Sequence, residues 1–326
     1  MASMDAVLNT PVVLTIFSRR DIVERVLAAI RKAGPKRLYV IGDAGRTPEE
    51  SEKVKEVRFL IAEIDWCEVR TNYAEENMGP KKRLATGISW AFEQEERAIV
   101  LEHDCLPDPS FFPFCEELLE RYKDDERVMH IGGNNFFSAV GARYECPDSY
   151  FFTHIPHIWG WATWRRAWKY YDVDVKRWPE ARERNLLNNV FRDPAVAFRW
   201  SSRFQEYYEG KIESWDGQWS FAVLSQGGLC INPSVNLVSN IGFGKEAFST
   251  KNVSARIAEV PTAALNFPLA HPEFLVADEL AEHLTQKYVF HINETKMQRF
   301  KWFLKSALPF WYRLAKKVTL RKQDAL

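Results

Sequence analysis

Between residues 12 and 131 short apolar runs rich in β-branched residues alternate with segments of helical period, and this alternation constrains the fold more than any other feature. Residues 12–17 (VVLTIF) form the first run, and 37–41 and 98–101 (AIVL) repeat the pattern. Near-continuous apolar runs of this length predict strands buried on both faces. Between them, Ile22, Val23, Val26, Leu27 and Ile30 share one helical face, and the pattern stops near Gly34-Pro35. Further helices are predicted over 48–64 and 80–95, with short strands over 68–71 and 128–131. Asp108 is predicted to cap a helix that has Pro109 at its first position and runs to about Tyr122. Such β-α alternation implies an α/β fold with a mostly parallel central sheet and helices on both faces. Ligands of these sheets bind at the carboxyl ends of the strands, so the chemistry is expected there.

The 326 residues carry 44 Lys+Arg and 44 Asp+Glu, with 46% hydrophobic residues, which excludes disordered, collagenous and disulfide-scaffold classes. The neutral total hides a split. Residues 294–326 hold nine basic and two acidic residues, so the body up to 293 is mildly acidic. Interleaved with the basic residues are Phe300, Trp302, Phe303, Phe310 and Trp311, the composition of an interfacial amphipathic helix. A helix packed on the domain with a solvated basic face is the alternative. Nucleic-acid binding is not expected, because the body is acidic and carries no RNA- or DNA-binding motif. The expected organisation is a domain over 1–260 and a C-terminal helical extension over 261–326.

Five cysteines (Cys67, Cys105, Cys115, Cys146, Cys230) lack any C-x-x-C spacing, which fits a reducing compartment. Neither a signal peptide nor a spanning helix is expected. There is no G-x-G-x-x-G and no P-loop motif, so a phosphate would be handled in another way.

The strand ends carry the candidate chemistry. The fourth ends in Glu102-His103-Asp104, where carboxylates suit a hydrated Mg²⁺ or Mn²⁺, although Asp104 would also cap a turn. Around 98–122 the run AIVLEHDCLPDPSFFPFCEELLERY resembles the metal-binding strand and following helix of GT-A nucleotide-sugar glycosyltransferases. The likeness is nearest to N-acetylglucosaminyltransferase I and related bacterial proteins of the nucleotide-diphospho-sugar transferase superfamily. Three more segments follow in the same order. Residues 159–168 (WGWATWRRAW) resemble the segment shaping the donor and acceptor sites, 214–219 (SWDGQW) the segment holding the catalytic base, and 242–250 (GFGKEAFST) the loop closing over the diphosphate.

The resemblance implies a GT-A fold over about 11–250 and inverting sugar transfer from a nucleotide-sugar, with UDP as the implied nucleotide. Asp104 would hold the divalent metal. Glu102 and His103 would stand beside it, His103 occupying a position that is Asp in the family. Asp216 would be the catalytic base, and it would equally cap a helix starting near Gly217. Glu213 is its nearest competitor. Ser18, Arg19 and Asp43 would contact the nucleoside, and Lys245 and Ser249 the diphosphate. Lys82, with Lys81 and Arg83, opens a helix N-terminus suited to phosphate or simply faces solvent. Trp159, Gly160, Trp161, Trp215 and Trp219 would line the sugar sites. His154 and His157 have the spacing of a metal pair without a third ligand, so packing is the expectation. The implied partners are a nucleotide-sugar, a glycolipid, lipopolysaccharide or polysaccharide precursor, and a membrane surface met by the basic tail, at the inner, cytoplasmic face. Two alternatives stand: a sugar-1-phosphate nucleotidyltransferase, whose Gly-rich loop after the first strand is absent here, and a catalytically silent sugar- or membrane-binding protein.

Overall fold

The computed structural model describes residues 8–243, 257, 259–290 and 292. The expected amphipathic tail, Lys245 and Ser249 lie outside them. In chain order the first elements are β1 (Val12–Ile16), α1 (Arg20–Ala33), β2 (Arg37–Gly42), α2 (Pro48–Ala62), β3 (Glu68–Tyr73), α3 (Gly79–Gln94) and β4 (Arg97–Glu102). They are followed by β5 (Cys105–Pro107), α4 (Phe111–Arg121), β6 (Val128–Gly132), β7 (Tyr150–Thr153), β8 (Trp161–Trp164) and α5 (Arg165–Trp168). Then come α6 (Trp178–Glu183), α7 (Leu186–Val190), α8 (Pro194–Tyr208), α9 (Asp216–Ser225), β9 (Leu229–Pro233), β10 (Val238–Asn240) and α10 (Glu279–Leu284).

The central sheet has eight strands in the order β3-β2-β1-β4-β8-β6-β9-β7. The pairs β3–β2, β2–β1, β1–β4 and β6–β9 are parallel, and only β8 and β7 run against the rest. The fold is therefore α/β with a mostly parallel sheet flanked by helices. Alternation along the strands sends side chains to two different cores. Val12, Leu14 and Ile16 of β1 join Val23, Val26 and Ile30 of α1, Val57 of α2 and Phe114 of α4. Val13, together with Tyr39 and Ile41 of β2, packs instead against Leu84, Ile88 and Phe92 of α3 and Trp219 of α9. Both faces of the sheet are thus dry, which is why its inner strands are apolar without a polar side.

Helix α4 begins at Phe111, later than Asp108-Pro109 suggest. The Asp108 carboxylate accepts from the Ser110 backbone N (2.9 Å) and Oγ (2.6 Å), and its carbonyl accepts from Phe111 N (3.0 Å). Asp108 thus closes a turn that carries Pro109 before the helix starts. A third core, with Trp178, Phe204, Tyr207 and Phe221, joins α6, α8 and α9. Segment 259–290 is packed onto the body. Leu269 enters the main core, Ala277 bridges to Phe152, and Glu282 accepts from His154 N (2.6 Å) and Nδ1 (2.7 Å). No helix among the described residues is long and apolar enough to cross a membrane.

Candidate active site

Strands β1, β2 and β4 end at the same edge of the sheet. From β1 the chain passes to β2 and β3 on one side, then returns to β4 on the other. The sheet therefore has its switch point over β1 and β4, where α/β folds open a crevice. A cavity of about 1410 Å³ occupies that place. Phe17, Ser18 and Arg19 leave β1 into it, Asp43 follows β2, Glu102 ends β4, and His103 and Asp104 follow it. The opposite wall comes from far along the chain: Arg199, Arg203 and Tyr207 of α8, and Ser214, Trp215 and Asp216 at the start of α9. The sequence's two acidic motifs, at 102–104 and 216, thus meet in one cleft.

Burial and mutual repulsion set the charges. Glu102 is pushed up to about 8, first by desolvation and then by Asp104 and Asp216, against a hydrogen bond with the Trp215 side chain. The His103 pKa is lowered, chiefly by burial and further by Arg19, against the pull of Asp104. Asp216 is raised by burial. Opposing that rise, the backbone at Asp216 and Gly217 and the Tyr207 hydroxyl hydrogen-bond the carboxylate, and the Arg203 charge lies nearby. The Ser214 hydroxyl also donates to Asp216 Oδ1, and Tyr207 OH approaches the same oxygen at 3.5 Å. Asp216 is the first residue of α9, where the helix dipole favours a carboxylate. A desolvated carboxylate with oriented donors is a fair proton acceptor for a hydroxyl.

Asp104 lies between β4 and β5, against the residues that follow β10. Ile241 N donates to its carbonyl at 2.8 Å, and a Cβ built on Gly242 would lie 2.0 Å from its Oδ2. Arg19 Nη1 donates to the Gly242 carbonyl at 2.9 Å, tying the β1 end to the same place. No group of three His, Cys, Asp or Glu side chains among the described residues is arranged to hold a metal ion. Among the described residues a complete protein cage is therefore not present at the β4 end. A hard divalent cation bound through substrate phosphates needs only one or two carboxylates, and Asp104 with Glu102 meets that smaller requirement.

Asp43 faces the cavity, yet its carboxylate is largely engaged. Oδ1 accepts from Ala44 N (2.9 Å) and Met78 N (3.0 Å), and Oδ2 from Gly79 N (3.0 Å). It pins the β2 end to the start of α3. Lys82 does not reach the cavity and points to solvent; Arg83, buried, lines it instead. Arg83 donates to the Gly42 and Asn72 carbonyls at 3.2 and 2.6 Å, and burial lowers its pKa against the nearby Asp43.

Three of the five predicted sugar-site residues are corrected. Trp161 and Trp219 are fully buried, and Gly160 is enclosed behind the cavity wall. Trp161 stacks on Trp215 (5.7 Å between centroids) and packs on Trp219 (5.6 Å) and Trp168 (6.0 Å). These indoles form a platform under the 214–216 turn and have no free face for a sugar. Gly160 has φ of +70°, and a Cβ there would strike Val238 at 2.7 Å, so its role is conformational. Trp215 and Trp159 do border the cavity. Beside Trp159, Asn134 Oδ1 and His157 Nε2 are buried acceptors without a hydrogen-bond partner among the described residues. His154 and His157 share no ligand: His154 pairs with Glu282, and His157 Nδ1 meets the Asn134 carbonyl at 3.3 Å.

Sequence reasoning passed over Arg199, Arg203 and Tyr207. Their spacing of four along α8 was the available signal, since residues so spaced share a helical stripe.

No family model matches the chain, and no curated protein matches it. Among solved structures it is similar to a mannosyltransferase, PcManGT from Pyrobaculum calidifontis in complex with GDP-Man and Mn²⁺ (15% identity, TM-score 0.36, 52% of this chain and 49% of that one). It is also similar to GalNAc-T7 with UDP, GalNAc and Mn²⁺ (11% identity, TM-score 0.42, 71% of this chain and 43% of that one). A UDP-glucose pyrophosphorylase complexed with UDP-glucose shares 10% identity at a TM-score of 0.32 over 50% of this chain and 78% of that one. The chain spans about half the length of the first two. Likenesses this slight carry no argument about ligand or reaction, which rests on the residues of the cleft.

Proposed function

We propose that the chain is a GT-A-type inverting glycosyltransferase that takes a nucleotide-sugar, with UDP as the implied nucleotide, and passes the sugar to a hydroxyl acceptor. The observation that carries this is the meeting of Glu102-His103-Asp104 and Asp216 across one cleft at the sheet's switch point. The nucleoside lies toward Phe17, Ser18, Arg19 and Asp43. The diphosphate lies toward Asp104, with Arg19 as a cation beside it.

Asp216 takes the proton of the acceptor hydroxyl. The acceptor oxygen attacks the anomeric carbon from the face opposite the diphosphate, the bond from that carbon to the diphosphate oxygen breaks, and the nucleoside diphosphate leaves with the electron pair. Ser214 and Tyr207 hold Asp216 in place by hydrogen bonds to its Oδ1. Burial keeps this carboxylate more basic than an exposed aspartate. Mn²⁺ or Mg²⁺, held through Asp104 with Glu102 beside it, would supply Lewis-acid neutralisation of the diphosphate when bound. The acceptor we place among glycolipid, lipopolysaccharide or polysaccharide precursors at the cytoplasmic face of a membrane, on the strength of the basic aromatic sequence over 296–322.

The test is Asp216→Asn, isosteric and unable to take the proton. Transfer is expected to fall by about 10²–10⁴-fold, the usual weight of a general base, while nucleotide affinity is retained. Unchanged transfer would remove Asp216 from the role.

A further inference from the structure

Helix α8 presents Arg199, Arg203 and Tyr207 at successive intervals of four residues, and all three border the cavity. Tyr207 ends the stripe at the base, its hydroxyl 3.5 Å from Asp216 Oδ1. Arg203 comes next, its guanidinium 5.6 Å from the Tyr207 ring centroid. Arg199 follows. At 1.5 Å of rise per residue, Arg203 stands about 6 Å and Arg199 about 12 Å along the helix from Tyr207. Both arginines are exposed, and neither makes an ion pair among the described residues. Like charges one turn apart repel each other. The α8 pair stands with Tyr207 and Asp216 in the lining of the cavity.

We infer that the acceptor is an anionic glycan, whose carboxylate or phosphate, on the accepting residue or the next one, is received by Arg203 and Arg199. The assignment rests on the transferase reading above and adds the acceptor's charge to it. Arg guanidinium forks suit both anions, since each offers paired oxygens to paired N–H donors. With a neutral acceptor the repulsion between Arg199 and Arg203 is eased, among the described residues, only by the Asp216 charge near Arg203. An anionic one relieves that repulsion and steers itself toward Asp216.

The experiment uses the full chain in two steps. Nucleotide binding is measured first with UDP, GDP and CMP. The chain with its bound nucleotide is then applied to an array of neutral oligosaccharides, their glucuronate-containing counterparts and their phosphorylated counterparts. Retention on one or both anionic sets, with little on the neutral set, is the expected result, and the set retained identifies the anion. Arg199→Gln is expected to weaken that retention by about tenfold or more, the weight of a hydrogen bond to a charged group. Arg199→Lys should recover part of it, and nucleotide affinity should hold in both variants. Equal retention of neutral glycans, retention unaffected by Arg199→Gln, or retention of no glycan by a nucleotide-bound chain would each overturn the inference alone. Failure of the chain to bind any nucleotide would overturn the transferase reading beneath it.

Discussion

Gly217 leaves no room for a side chain against Tyr207: a Cβ there would lie 2.0 Å from the ring's Cε2 and 2.1 Å from its Cζ. Tyr207 is itself 2% exposed and held in the core of α6, α8 and α9, so the ring has nowhere to retreat. The glycine after Asp216 is therefore what lets α8 and α9 approach closely enough for the tyrosine to reach that carboxylate.

Gly217→Ala is accordingly expected to cost about 1–3 kcal/mol of stability, the usual penalty for overpacking a dense core, and to lower transfer by displacing Tyr207 from Asp216. Denaturant unfolding and a transfer assay check it. A variant as stable and active as the parent would mean that the two helices are looser than described.

Tyr207→Phe keeps the ring and removes only the hydroxyl. Hydrogen bonds to the ionised carboxylate favour that form, and the Tyr207 bond lowers the Asp216 pKa. Removing it raises that pKa, so the acidic limb of the kcat/KM profile, below which the base is protonated, is expected to move to higher pH. The profile measured from pH 4 to 9 checks the sign. A limb that stays put, or moves down, contradicts Asp216 as the titrating base.

Gly242 has the same relation to Asp104. With a Cβ 2.0 Å from Oδ2 and 2.7 Å from the aspartate's own Cβ, Gly242→Ala forces either the carboxylate or the chain to shift. Divalent-cation affinity in the presence of nucleotide is expected to fall by about 10–100-fold, the range seen when the support of a ligand is disturbed. Titration of Mn²⁺ followed by electron paramagnetic resonance reads this directly. An unchanged affinity would move the metal away from Asp104.

His130 supplies the acid limit of stability. An indole N–H can only donate, so Trp219 Nε1 at 3.1 Å fixes His130 Nδ1 as an acceptor, and Nε2–H donates to the His157 carbonyl at 3.0 Å. Burial holds the His130 pKa down to about 3 and that of His157 to about 4. In the unfolded chain both titrate near 6.5. The unfolded chain therefore binds more protons below that value. The stability these residues contribute is whole above about pH 6.5 and is lost as pH falls toward the folded values, at up to about 1.4 kcal/mol per pH unit for each. Melting temperatures should drop between pH 6.5 and 4, and the His130 imidazole should not titrate in the folded protein above pH 5. A flat melting curve across that range contradicts the assignment.

The first 131 residues were legible because their periods are local. Val12, Leu14 and Ile16 alternate with Val13 and Thr15, and Ile22 to Ile30 repeat at helical spacing, so the elements up to β6 needed no tertiary information, except β5, which pairs with the distant β10. The second half was less so. Strand β8 inserts between β4 and β6, and β9 between β6 and β7; nothing local in four-residue runs such as Trp161–Trp164 fixes such long-range neighbours. Within the candidate site, Glu102 and Asp104 were singled out because acids after a buried strand are conspicuous, and Asp216 by the resemblance of its SWDGQW segment. Their surroundings were not. Trp215 and Trp219 are four apart on one helical face, and both turn to Trp161, so only the one at the helix start borders the cleft. The choice between Lys82 and Arg83 depended on the phase of α3. Gly87, where a Cβ would lie 2.3 Å from Ile41 Cγ2, marks the face that Arg83 shares.

The central claim, a nucleotide-sugar site at the switch point of the sheet, is tested most directly by calorimetric titration of the full chain with UDP, GDP and CMP, each with and without Mn²⁺. One nucleoside diphosphate, UDP by implication, is expected to bind selectively, and to bind more tightly with Mn²⁺ through Asp104. Binding of none of the three, with or without the metal, would contradict it.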